Sequence, residues 1–260
     1  DNCTVFQSRI FCTRWTGLYK DDAISSVEHR ANLVLLLKYG MDFIKNYTMS
    51  GWVKMPNYRL NLPDYSDRAI FEGLVNHLIH RDYTVMGGEV HIDIYDDRVE
   101  LVSPGAMLDG TQIQDRDIYK VPSMRRNPVI ADVFTQLDYM EKRGSGLRKM
   151  RELTEKLPNF LQGKEPQYQT EATSFYTTFY NLNWGDNGRI PVEEVANRVN
   201  STLEKYLENE ESSVEKFGGN SKSSVKTFGD TPEGSEKGSE IMQKGSEKKF
   251  GDSKNKSKSI

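Results

Sequence analysis

Three residues of one helix-forming segment are spaced for chemistry. Glu72, Asn76 and His80 recur at i, i+4 and i+8. On a helix such positions project from one side, drifting by about 40° per step of four. A carboxylate, a carboxamide and an imidazole in a row can bind a metal, position a water or contact a phosphate. The same row can equally be a solvated polar stripe. Arg81, Asp82 and Tyr83 follow where the helix should end. Two glycine-bearing stretches come later. Ser103-Pro104-Gly105 closes a strand, where backbone amides can face a ligand. Gly144-Ser145-Gly146 leads into a helix, whose first N–H groups and dipole favour anions. Lys120, Arg125, Arg126, Lys142, Arg143, Arg148, Lys149 and Arg151 make residues 120–151 locally basic. That stretch could grip the phosphate of a nucleotide or of DNA, or be a solvated helix face.

Other chemistries lack their residues. His77 and His80 stand i, i+3 on the same helix, but no third ligand follows at metal spacing, and Asp82 is expected to orient His80. Cys3 and Cys12 form no CxxC pair and no disulfide framework. The chain contains no G-x-x-x-x-G-K-[ST] phosphate loop and no serine nucleophile elbow. Phe175, Tyr176, Phe179 and Tyr180 read as strand core rather than as a base-stacking platform.

The elements that must position these groups follow from periodicity. Val5 to Trp15 reads as a strand. Ser25-Ser26 opens a helix that ends near Asn46-Tyr47, and Trp52 to Leu62 reads as one strand. Ser66 is a good N-cap for a helix from Asp67 to Arg81. Gly87-Gly88 gives a hairpin signal. Glu89 to Tyr95 and Arg98 to Val102 pair across the Asp96-Asp97 turn. Residues 110–127 form a long loop. Helices are expected from Pro128 to Leu137 and from Leu147 to Leu157. Thr170 to Leu182 is a strand, and Pro191 opens a last helix that runs to about Leu207. Helices alternating with antiparallel strands imply an α+β two-layer sandwich, a mixed, mostly antiparallel sheet covered on one face by helices.

Composition sets outer limits. The 260 residues are 36% hydrophobic and 28% charged, with a net charge of -3. That balance argues against a surface that coats nucleic acid. The longest apolar run, Leu33 to Leu37, is far short of the roughly 20 residues that span a bilayer. No signal-peptide pattern opens the chain, which starts at Asp1, and the expectation is a soluble, cytoplasmic protein that is a fragment of something longer. From Glu211 onward Ser, Gly, Lys and Glu dominate. Phe217, Phe228 and Phe250 are spaced by 11 and 22 residues, an 11-residue repeat with one copy missing. So little apolar area cannot offset the entropy of ordering, so this tail is expected to be disordered.

The order of helix Glu-x-x-x-Asn, strand to Pro-Gly and loop to Gly-x-Gly-helix resembles the nucleotide-binding fold of the GHKL superfamily (gyrase, heat-shock chaperone, sensor histidine kinase and MutL). The blocks Glu72 to Tyr83, Arg126 to Phe134 and Tyr139 to Gly146 are similar to a bacterial and archaeal family of transcriptional regulators. Its members carry an N-terminal AlbA-type DNA-binding domain and are often labelled RecG-helicase-related. The resemblance covers roughly residues 1–185. It implies that Glu72 is the candidate general base and that Asn76 holds Mg²⁺. It implies that Ser103, Pro104 and Gly105 shape the base pocket and that Gly144, Ser145 and Gly146 wrap the phosphates. His80, Arg81, Asp82, Arg126 and Asn127 join the candidate binding set from the same blocks. Two departures stand out: Ser103 or Pro104 occupies the place of the family's adenine-reading Asp, and His80 and Asp82 replace small residues.

The chain is expected to divide into an N-terminal strand-helix-strand part (1–62), a GHKL-like core (63–185), a C-terminal helix (186–210) and the tail (211–260), and the resemblance reaches only to about residue 185. It implies a regulatory domain that binds ATP or another purine nucleotide with Mg²⁺. The domain is expected to form a homodimer through Val5 to Trp15 and the helix after it, with DNA held by a domain upstream. Two alternatives stay open: a ligand-free dimerisation platform and a slow ATPase.

Overall fold

The computed structural model describes residues 6–55, 57–141 and 144–202. The tail with its repeat, the end of the last helix, and Cys3, Lys142 and Arg143 lie outside the described residues.

Six strands build the main sheet: β1 (Arg9–Trp15), β2 (Ala23–Arg30), β5 (Val90–Ile94), β6 (Arg98–Pro104), β7 (Gln167–Thr170) and β8 (Ser174–Tyr180). Their order is β2-β1-β5-β6-β8-β7. Only β1 and β5 run parallel, from Ile10↔Val90 to Arg14↔Ile94; the other pairs are antiparallel. A separate hairpin joins β3 (Ser50–Lys54) to β4 (Arg59–Pro63), and β9 (Trp184–Gly185) pairs with β10 (Gly188–Arg189). The helices are α1 (Leu33–Tyr47), α2 (Asp67–His80), α3 (Pro128–Gln136), α4 (Gly146–Glu155) and α5 at residues 192–202. No helix among the described residues is long and apolar enough to cross a membrane.

Strand periodicity of two puts Ile10 and Cys12, Val90, Ile92 and Ile94, and Val99 and Leu101 on one buried face. Helices α1 and α2 lie on that face, α1 through Leu36, Leu37, Met41 and Ile44, and α2 through Ile70, Leu74, Val75 and Leu78. Each fully buried aliphatic side chain contributes about 1.5–3 kcal/mol of transfer free energy. Helix α4 packs in turn on α2. The fold is therefore α+β, a mostly antiparallel sheet with its helices on one face. A smaller cluster, Leu62 with Val195, Ala196 and Val199, fastens α5 to the β3–β4 hairpin.

Four segments depart from the sequence reading. Residues 23–30 are strand, not the start of a helix, because they pair with β1 from Arg9↔Arg30 to Trp15↔Ala23. Helix α1 starts only after Asn32, whose Oδ1 accepts from the Leu35 N–H at 3.0 Å. Residues 52–62 fold back as a hairpin, closed by Met55 N–H to the Tyr58 carbonyl at 2.8 Å. Residues 170–182 are not one strand either: β7 ends at Thr170 and the chain turns at residues 171–173 into β8, with the Glu171 N–H donating to the Ser174 carbonyl. Gly87-Gly88 makes no hairpin: β5 takes β1 and β6 as neighbours, and Gly88 lies against the Pro104 ring.

Candidate functional site

Helix α2 is the backbone of the site, and both its ends are closed by side chains. Ser66 Oγ accepts from the Ala69 N–H at 3.3 Å, satisfying one of the orphan donors of a helix start. At the other end four successive carbonyls need donors. Tyr83 Oη donates to Leu78 O at 2.7 Å. Asn127 Nδ2 donates to Ile79 O at 2.7 Å and to Arg81 O at 2.8 Å. Arg126 Nε donates to His80 O at 3.1 Å. Arg126 also donates to the Ala106 carbonyl and pairs with Asp82 at 3.2 Å. So the blocks at 80–83 and 126–128, separate in sequence, form one cap that ties α2 to the loop after β6.

A cleft opens beside this cap, of about 890 Å³ when the space at its mouth is included. Its base is polar. His77, on α2, is 2% exposed. Its Nδ1 lies 2.9 Å from Ser103 Oγ at the end of β6, and its Nε2 lies 3.0 Å from Thr177 Oγ1 on β8. Burial, with a smaller push from His80, lowers the His77 imidazole to about 3, so the ring is neutral at ordinary pH. The walls are largely apolar: Met107, Leu108, Val121, Met124, Leu147, Met150 and Phe175. Phe175 meets the His77 ring edge-on, with centroids 5.7 Å apart.

Asn76, His80, Arg126, Gly144 and Gly146 also line the cleft. Gly146 is the first residue of α4. A Cβ there would sit 2.5 Å from Asn76 Nδ2, so glycine is what allows the N-terminus of α4 to approach Asn76. Gly144 has φ +64°, and a Cβ there would press on Ser123 at 2.8 Å. Burial lowers the His80 imidazole to about 4, helped by the nearby charges of Arg126 and Arg125.

The expected site residues thus separate into two groups. Asn76, His80, Ser103, Gly105, Arg126, Gly144 and Gly146 come together around the cleft. Glu72, Arg81, Asp82, Pro104, Asn127 and Ser145 are not among its lining residues. Arg81 is 1% exposed and its guanidinium donates to the carbonyls of Gln7 and Gly88, which fixes the first described turn of the chain to the loop before β5. Asp82 does not orient His80; it accepts from Thr84 Oγ1 at 2.6 Å and from the Thr84 N–H at 3.0 Å. Glu72 is 5% exposed. Burial raises its carboxyl above the ordinary range, with Lys149 and Arg68 pulling it down and Glu141 pushing it up.

The basic stretch is already neutralised among the described residues. Lys120 pairs with Asp117, Arg125 with Asp132, Arg148 with Glu152, Lys149 with Glu141 and Arg151 with Glu155. Pairs this exposed contribute little to stability, but they reduce the attraction of the stretch for phosphate. Sequence reasoning missed His77 and Thr177 as parts of the site. The only local signal was a histidine beside Asn76 on the apolar side of α2.

Comparison with known proteins bears on this cleft. Residues 87–179 match the family described as "Putative ATP-dependent DNA helicase recG C-terminal". The matched segment carries Ser103, Gly105, Gly144, Gly146 and Thr177, and it begins after Glu72 and Asn76. This part of the chain is therefore similar to an ATPase-like domain. The fold is similar to that in the crystal structure of the DIP2311 protein from Corynebacterium diphtheriae, with a TM-score of 0.59 and 18% sequence identity. The likeness covers 74% of this chain and 37% of that one, and at that identity it is a likeness of fold alone. No match is found among curated proteins.

The residues present fit a nucleotide. An apolar slot with a hydrogen-bonding base suits a flat heterocycle. A helix N-terminus that glycine brings close suits phosphate. No group of three or more His, Cys, Asp or Glu side chains that could hold a metal occurs among the described residues. A Mg²⁺ ion, which is usually bound through substrate phosphates and one or two protein oxygens, would have the Asn76 amide oxygen as its protein ligand. When bound, the ion would neutralise phosphate charge. Asn76 itself would position the phosphate end against Gly146.

Proposed function

We propose that the cleft binds a purine nucleotide and that the chain is the ligand-binding, regulatory part of a DNA-binding transcriptional regulator. The observation that carries the reading is the cleft itself. The buried His77, Ser103 and Thr177 line it together with Asn76 and Gly146, which approach each other closely. The ATPase-like match over residues 87–179 supports it, as does the resemblance of the blocks at 72–83, 126–134 and 139–146 to regulators of that kind. Glu72 stands one helical turn from Asn76 as the candidate base of a slow hydrolysis, and its absence from the lining favours binding over turnover.

Calorimetric titration of the chain with ATP, ADP and GTP, with and without Mg²⁺, tests this. Binding stronger than about 1 mM is expected (about 4 kcal/mol). Asn76→Ala should weaken the Mg²⁺ form by about 1–3 kcal/mol and the metal-free form less. No heat from any of the three nucleotides at millimolar concentration ends the nucleotide reading.

A second role, self-association, has its own observation. β2 is an edge strand of the main sheet and carries Ile24 at 60% and Val27 at 38% exposure. An open edge with apolar side chains is a template for pairing with a second copy. We infer a homodimer through this edge. Ile24→Lys should shift sedimentation to the monomer, and a parent chain that is monomeric at tens of micromolar (a weak-dimer affinity of roughly 6 kcal/mol) overturns it.

A further inference from the structure

The base of the cleft has a property that a carboxylate would not have. A neutral imidazole donates from one nitrogen and accepts at the other. His77 faces a hydroxyl at each: Ser103 Oγ at 2.9 Å and Thr177 Oγ1 at 3.0 Å. All three residues line the cleft, and Ser103 and Thr177 are 4% and 1% exposed.

Two arrangements of the protons are possible. With the proton on Nδ1, the ring donates to Ser103, and Thr177 donates to the ring. The Ser103 O–H is then left to donate to a ligand, and the Thr177 oxygen to accept from one. With the proton on Nε2 the roles exchange: Thr177 donates to the ligand and Ser103 accepts from it. In both arrangements the cleft offers one donor and one acceptor. Only their order changes, by transfer of a proton between ring nitrogens together with rotation of two hydroxyls. No ion is created, which matters because a buried charge without a partner is costly.

We propose that Ser103, His77 and Thr177 form a reversible reader that recognises any base edge carrying a donor beside an acceptor, in either order. The cleft would then take 6-amino and 6-oxo purine nucleotides alike. The 6-amino ring presents a donor at position 6 and an acceptor at position 1; the 6-oxo ring presents the reverse in the same shape. This proposal rests on the nucleotide reading above.

ATP and ITP are the probes, because they differ only in that order. With the full chain, calorimetry should give dissociation constants within about threefold of each other. Ser103→Asp cannot donate to the ring, so it pins the ring proton on Nδ1 and leaves acceptors only toward the ligand; both constants should weaken by about tenfold or more. Thr177→Val, close to isosteric, should weaken both nucleotides about fivefold to tenfold and leave the ratio near one. A direct readout is the ¹⁵N spectrum of the His77 ring, in which saturation with ATP and with ITP should favour opposite tautomers. If the parent binds both but prefers one by more than tenfold, the reader is overturned while the nucleotide site stands. The same holds if the ring keeps one tautomer with both, or becomes protonated. If neither ATP nor ITP binds at millimolar concentration, both readings fail together.

Discussion

The two ends of α2 hold two buried polar centres that look alike in composition and differ in saturation. Just before the helix, Asp64 is 2% exposed and its carboxylate has about four acceptor sites. Four donors fill them: Arg189 Nη2 at 2.7 Å and Nη1 at 3.1 Å, Asn183 Nδ2 at 2.9 Å and the Met49 N–H at 3.0 Å. In the last turn, the hydroxyls of Ser103 and Thr177 each use one site on His77 and retain others, and both residues line the cleft. A saturated centre holds structure together; an unsaturated one at the base of a cleft is prepared for a ligand. Burial and polarity alone would not have told them apart.

The largest expected effect breaks the first centre. Asp64→Ala removes the shared acceptor of three segments, Met49 just before β3, the turn after β8 and β10. Breaking a buried, hydrogen-bonded ion pair costs about 3–5 kcal/mol. Arg189 is a third exposed and can turn to water, so the lower end of that range is expected. Chemical denaturation measures it. Nucleotide affinity, taken well below the melting temperature, should be unchanged. A large loss of affinity in a still-folded variant would mean that the two centres are coupled through α2.

Gly146→Val acts on the other centre. Its side chain would enter the space of Asn76 Nδ2, and overpacking of this kind costs about 1–3 kcal/mol. Here the comparison predicts the reverse pattern: a modest loss of stability with loss of nucleotide binding by a hundredfold or more, because the N-terminus of α4 must move away. Retained binding would place the phosphate elsewhere than at Gly146.

The contrast also explains what was legible in the sequence. Ser66 after Pro63-Asp64-Tyr65 marked the start of α2 correctly, because an N-cap acts within three residues. The Asp96-Asp97 turn placed β5 and β6 for the same local reason. By contrast, Ser25-Ser26 with Val27, Ala31 and Val34 imitates a helix start, and only pairing with β1 decides for strand. His77 meets partners 26 and 100 residues away, so no local spacing could give its role. Asn127 caps a carbonyl 48 residues earlier; its place in an ordered block suggested a ligand contact, while the geometry makes it the support of the contact.

Acid should affect the two centres differently. The folded chain holds the His77 imidazole at about 3, below the ordinary value of 6.5. The unfolded chain therefore binds a proton that the folded one refuses. Stability from this group is complete above about 6.5 and falls as pH drops toward the folded value, by about 1.4 kcal/mol per pH unit for one group. His77→Gln, which can still hydrogen bond and does not titrate, should flatten the stability profile between about pH 6 and 4 by that slope. An unchanged profile would mean that His77 is already protonated in the fold, and the base of the cleft would then be ionic.

The smallest effect concerns Glu72, on the same helix but outside the cleft lining. Burial is the leading cause of its raised carboxyl, and Lys149 and Arg68 only partly compensate. The folded chain therefore holds this proton more tightly than the unfolded chain does, so stability declines as pH rises from about 4.5 through the folded value. Burial therefore works against the ionised form of this side chain in the fold. Glu72→Gln keeps the shape and removes the charge, so the variant should be slightly more stable than the parent at pH 7. The two should converge below about pH 4, where the parent is protonated. Nucleotide affinity should not change, because Glu72 does not line the cleft; any turnover should disappear, because no carboxylate remains to take a proton from water. A variant less stable than the parent at pH 7 would show that Lys149 and Arg68 outweigh burial, and would place Glu72 with Asp64 among the saturated, structural carboxylates.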